Sequence, residues 1–261
     1  TTGGNNIAMG TEALVGNTTG GCNIAVGACS LYSNTTASCN TAVGSFSLCS
    51  NTTGCNNTAI GGESLKTNST GNCNVAIGNT ALRCNTTGYN NTAVGFASLS
   101  TNTTGTQNTA IGYQALTCNT TAYKNVAIGR QALRFNITGN NNTAVGTDAL
   151  GSTEGGSDNT AVGNNALNTN TTGVDNTAIG LNTLCKNTIG TCNTALGRSA
   201  LFANTTGAYN TGLGFNAGNN ITTGSGNVII GSVAAAAVDS ARTLKIAGND
   251  GTTTTTWIEG N

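Results

Sequence analysis

Ten cysteines and no histidine decide what chemistry this chain can attempt. Without imidazole it has no serine triad, no common zinc cage and no general base poised near neutrality. Its carboxylates (Glu12, Glu63, Asp148, Glu154, Asp158, Asp175, Asp239, Asp250 and Glu259) are thinly spread. Only Asp158 and Asp175 share a column of the repeat described below on adjacent units, where two acids could hold a cation; two solvated turn carboxylates are the better reading. GLGFNAG at 212–218 mimics a phosphate loop only superficially, being a worn copy of a phrase found throughout the chain. No enzyme, no metal site and no cofactor is expected.

Three other groups have a chemical use. Cys22 and Cys39 are candidates for a disulfide, as are Cys55 and Cys73, with buried thiols acting as small apolar fillers the rival reading. Cys84 and Cys118 share a column but lie two units apart, too far to pair within a chain; with Cys29, Cys49, Cys185 and Cys192 they are free or pair between chains. Asn-Thr-Thr spells a glycosylation sequon at Asn17, Asn34, Asn51, Asn85, Asn102, Asn119, Asn170 and Asn204, with variants at Asn68 and Asn136. A sugar every few ångströms would crowd badly, so a structural ladder of Asn is the main reading and sparse modification the secondary one. Phe96, Tyr113 and Arg130 recur in one column, with Tyr89 and Tyr123 as possible additions; such a strip can hold sugar rings or a receptor surface, although ladder stacking explains it as well.

What positions these residues is a repeat. Asn recurs at 6, 23, 40, 57, 74, 91, 108, 125, 142, 159, 176, 193, 210 and 227, always 17 apart and without insertion. Counted from that Asn, the unit is N-T-A-[VI]-G-x-x-[AS]-L-x-x-N-T-T-G-x-x. The fourth position is aliphatic in every unit, the fifth is always Gly, and the ninth is Leu from Leu14 to Leu201 and fails at Gly218. Helical repeats need more than 30 residues per unit. Seventeen residues with two glycines, β-branched residues and Asn-Thr turns predict one coil of a parallel β-solenoid, an all-β fold. Stacked at about 4.8 Å, fourteen coils would make a rod of roughly 65 to 70 Å. Val/Ile at the fourth position and Leu at the ninth are expected to point inward. The Asn columns are expected to stack their amides. Residues 1–231 form the solenoid in this reading, and 232–261 a cap or junction with Leu244, Ile246, Trp257 and Ile258 as its apolar contacts.

Composition narrows the class. There are 38 glycines, no proline, 7% charged residues and 4% aromatic residues, with net charge zero. The missing proline fits an uninterrupted ladder in which nearly every N–H donates. No basic face offers itself to nucleic acid, and no apolar run is long enough for membrane insertion. The cysteine count points to an oxidising, extracellular setting, and the start without Met to a mature or excised segment. One Val/Ile and one Leu per coil bury too little to order 17 residues alone, so burial against other chains is expected, with small Ala and Gly at the third and fifth positions permitting close approach in a homotrimeric rod.

The iterated NTAVG-x-x-AL-x-x-NTTG phrase over residues 5 to about 231 resembles the repeat shafts of viral and bacteriophage tail fibres. It is more distantly similar to the head repeats of trimeric autotransporter adhesins. The closing NVIIGS…TLKIAGNDG…WIEGN resembles the segment that in such fibres precedes a self-cleaving chaperone domain. The resemblance implies a fibre or adhesin shaft on a virion or cell surface, self-associated as a trimer and positioning or making contact with a host glycan or receptor. The rival readings are an extracellular filament built end to end from solenoid subunits, and an ice-binding solenoid. The last ranks behind because the adjacent threonines of NTT should point to opposite sides.

Overall fold

The computed structural model describes residues 2–235, 237–249 and 253–260; Thr1 and Asp250 lie outside the described residues. The chain divides into two compact units, Thr1–Gln131 and Ala132–Asn261. Each is a β-solenoid of 17-residue coils, and among the described residues there is no helix. The first unit holds β1 (Ile7–Met9), β2 (Ile24–Val26), β3 (Thr41–Val43), β4 (Thr58–Ile60), β5 (Val75–Ile77), β6 (Thr92–Val94), β7 (Thr109–Ile111) and β8 (Val126–Ile128). The second holds β9 (Thr143–Val145), β10 (Thr160–Val162), β11 (Thr177–Ile179), β12 (Thr194–Leu196), β13 (Thr211–Leu213), β14 (Val228–Ile230), β15 (Leu244–Asn249) and β16 (Thr254–Gly260).

Pairing follows the sequence interval. Ala59 faces Ala76 and Ala93 faces Ala110 in parallel ladders of the first unit, and Ala161 faces Ala178 in the second. Outside the strands the stacking continues. The Leu65 N–H donates to the Ala81 carbonyl, and Leu99 N–H to Ala115, both across one coil. A proline at any of these donors would delete a rung, which is why the chain carries none.

The core is narrow. At a typical level it holds the third-position Ala, the eighth-position Ala or Ser, the ninth-position Leu and two Asn; Ala93, Ser98, Leu99, Asn91 and Asn102 are each buried. Leu99 (φ 50) and Leu116 (φ 53) reach that core from left-handed backbone, a cost their complete burial offsets. The fifth-position glycine is dictated twice. Gly95 has φ +130, and a Cβ there would lie 2.5 Å from the Gly112 carbonyl oxygen.

The Asn columns are ladders of amides. In the first column Asn91 Oδ1 accepts the backbone N–H of Asn108 (3.0 Å), while Asn91 Nδ2 donates to the Gly105 carbonyl (2.9 Å). In the second, Asn102 Nδ2 donates to Asn85 Oδ1 (2.8 Å) and to the same Gly105 carbonyl (3.0 Å). Two buried polar columns thus satisfy one another and the turn between them, coil after coil.

One expectation reverses. The fourth-position aliphatics point outward, not inward: Ile60, Ile77 and Ile111 are exposed, while the alanine before each is fully buried. A three-residue strand can turn only its middle side chain inward. The third-position Ala is therefore core, not a site of close approach by another chain.

The C-terminal end closes differently. Where the Leu column fails at Gly218, Ile221 replaces the column's Asn and Ile229 its Ala, and both are fully buried around the gap beside Leu201. β15 adds to β14 in parallel and pairs with β16 antiparallel. Lys245 takes the level of the inward Ile229 and meets Glu259 at 3.6 Å. That ion pair, with Val233 and Ala235 buried, covers the last apolar level. Leu244, Trp257 and Ile258 are exposed instead of serving as the contacts expected of them.

Candidate functional site: the outward sheet face

Outward-facing second and fourth positions make a flat face on each unit. Its second column reads Thr at 41, 58, 92, 109, 143, 160, 177, 194 and 211 and Ile or Val at 7, 24, 75, 126 and 228; its fourth is aliphatic in every coil. No charged residue occupies either column. Side chains repeat about every 4.8 Å along a column, and the two columns stand about 6.6 Å apart. The hydroxyls of Thr92, Thr109, Thr160 and Thr177 make no hydrogen bond to protein among the described residues. Threonines of NTT behave otherwise, for Thr86 and Thr103 each donate to a carbonyl of the next coil (3.0 Å). Sequence reasoning missed this face because it placed the aliphatic column inside; the alternation T-A-V was the available signal.

Charge collects elsewhere, at the sixth to eleventh positions and the loop positions. Glu63 is held below the usual carboxylate range by the hydrogen bond from Lys66 (3.0 Å), with Arg83 adding a second ion pair (2.9 Å). Lys66 also lies over the Phe46 ring at 5.2 Å, and Lys186 over Phe202 at 5.1 Å.

Of the candidate recognition residues, Phe96 and Tyr113 are brought together. Their rings stack at 5.6 Å and 13°, both exposed, beside Val94 and Ile111 of the flat face. Arg130 occupies the same column one coil on. Tyr89 and Tyr123 are exposed in the sixteenth column, on the other side of the strand, with Lys124 over the Tyr123 ring at 5.8 Å.

All ten cysteines are free thiols. Cys22 and Cys39 stack in register, which keeps their side chains parallel at about the coil spacing, wider than the Cβ separation of about 3.8 Å that a disulfide wants. Cys55 bonds within the ladder instead, where its Sγ accepts the Ser38 N–H (3.4 Å), as the Ser157 and Ser225 hydroxyls accept backbone N–H groups of the preceding coil. Cys73 is exposed and not bonded to it. Burial pushes the Cys49 and Cys185 thiols up, and desolvation followed by the Glu12 carboxylate does so for Cys29 (3.5 Å), so none is an activated nucleophile.

The sequon asparagines Asn17, Asn34, Asn51, Asn85, Asn102, Asn119, Asn170 and Asn204 are buried. Their Nδ2 groups are used in the fold, as that of Asn204 is, donating to the Gly207 carbonyl of its own coil and to Asn187 Oδ1 of the preceding one. A glycan on that nitrogen and the folded coil exclude each other. Asp158 accepts from Asn141 Nδ2 (3.0 Å), and no group of three or more potential ligands for a metal occurs among the described residues. No family model, no curated protein and no solved structure matches the chain.

Proposed function

We propose that the chain is the structural shaft of a fibre or adhesin, displayed outside the cell or on a virion, which positions a contact with a host or another surface. The observation that carries this reading is the unbroken 17-residue interval, in which successive coils reuse one set of rungs and, apart from those of Thr153 and Ile221, of amide bonds. Such a column resists bending because each coil is tied to the next along several lines. Self-association belongs to the reading, as a homotrimer. The stacked Phe96 and Tyr113 rings give a flat apolar spot for a sugar ring of a host glycan.

Electron microscopy of the native material tests it. Thin spikes projecting from capsids or cells are expected; continuous polymers would favour a filament assembled end to end, and compact particles would end the fibre reading. Native mass under reducing and non-reducing conditions is expected to give three chains in both, without covalent linkage.

A further inference from the structure

We propose that the flat face built from the second and fourth positions is the surface on which two further copies of this chain pack, coil against coil about a three-fold axis. The proposal rests on the self-association in the fibre reading and assigns it a surface.

The chemistry of the columns points there first. An ordinary domain puts its Ile and Val inside; here Ala fills the core and Ile60, Ile77, Ile111 and Ile128 stand outside it, 38 to 39% exposed. In the first unit eight strands make a strip about 38 Å by 10 Å by the usual spacings, on the order of 400 Å². That is the size of the largest patch on a typical monomer, often a functional one, and here it combines an unbroken aliphatic column with one of Thr, Ile and Val. With no charge in either column, copies related by a symmetry axis meet without like-charge repulsion.

Periodicity then selects the partner. The face repeats at the coil rise, so a partner without that period matches one or two coils and drifts out of step. A second copy of the same chain matches every coil, because its own columns carry the same interval. The threonines fit this occupant as well: a hydroxyl both donates and accepts, so Thr92 facing Thr92 of another copy satisfies both groups. The charged groups Glu63, Lys66 and Arg83 stand in other columns and stay in water.

The test is native mass spectrometry and sedimentation of the full chain beside two double variants of equal added charge. Ile77→Lys with Ile111→Lys alters the face; Thr53→Lys with Thr87→Lys alters an exposed column of another side. The face variant is expected to run as one chain with its β circular dichroism retained, its assembly weakened about 100-fold or more by desolvated like charges. The control keeps the three-chain mass. If the wild type is trimeric and the face variant remains so, this surface is wrong while the fibre reading stands. A wild type of one chain removes the self-association as well, and if it also shows thermal hysteresis that the face variant loses, the occupant is ice. Should the face variant not fold, a benzophenone side chain at position 77, compared with one at 87, reads the contact directly: interchain cross-links from 77 support the proposal, and cross-links from 87 alone overturn it.

Discussion

The coils and the closing hairpin of β15 and β16 solve the same problem by opposite means. In a coil the strands are three residues long, parallel, and held by neighbours 17 residues away on either side. In the hairpin they are six and seven residues long and antiparallel, with a bulge between Ile246 and Ala247, and β16 is exposed along its length. A coil residue is constrained by what stacks above and below it. A residue of β16 is constrained by one partner strand and by water, and one of β15 by β14 on one side and β16 on the other. The same residue type should therefore have very different worth in the two places.

Glycine separates them most. Gly95→Ala places a methyl in left-handed backbone and against the Gly112 carbonyl. The conformation alone costs about 1 to 3 kcal/mol, and displacing a neighbouring coil should bring the total above about 4 kcal/mol. Gly260→Ala meets nothing within 4 Å and should stay within about 0.5 kcal/mol of wild type. Urea denaturation followed by circular dichroism measures both, and equal losses would break the contrast. Leucine comes next. Leu116→Ala empties a fully buried site and should cost about 2 to 5 kcal/mol, against under about 1 kcal/mol for the half-exposed Leu244. Asparagine follows. Asn102→Ala removes donations to Asn85 and Gly105 and strips Asn119 Nδ2 of an acceptor at 2.7 Å, a loss of about 1 to 3 kcal/mol in the same melt.

The sequence made the interval, the coil and its stacking legible, because a strict period needs no knowledge of side-chain direction. Leu99 and the amide columns could be placed for the same reason: each is unique within its unit. Direction was harder. Val94 and Ala93 differ in size in a way that suggests the larger is buried, and the coil is too narrow for that rule to hold. The alternation T-A-V spans only three residues, too few to outweigh that rule. Asn102 carried two incompatible signals, a sequon and a ladder, and only its buried bonds decide between them. The cysteines misled because sharing a column fixes a separation but not a pair of converging side chains.

Besides the terminal coil of Ile221, one internal coil in the second unit lacks its amide and offers the smallest and most discriminating change. Thr153 stands where the neighbouring coils have Asn; it is fully buried, and its Oγ1 has no hydrogen-bond partner. Asn170, one coil on, donates to the Gly173 carbonyl (2.9 Å) but has no amide oxygen beneath it of the kind that Asn187 finds in Asn170 (2.8 Å). Thr153→Asn supplies that oxygen and a donor for the Gly156 carbonyl, so stability should rise by about 1 to 2 kcal/mol. Part of any gain would come merely from removing a stranded hydroxyl. Thr153→Val keeps the shape and removes the hydroxyl alone, so it isolates that part and should gain less. Equal gains from Asn and Val would mean that the amide column contributes little beyond avoiding an unmet polar group, and the contrast between coil and hairpin would then rest on glycine and leucine alone.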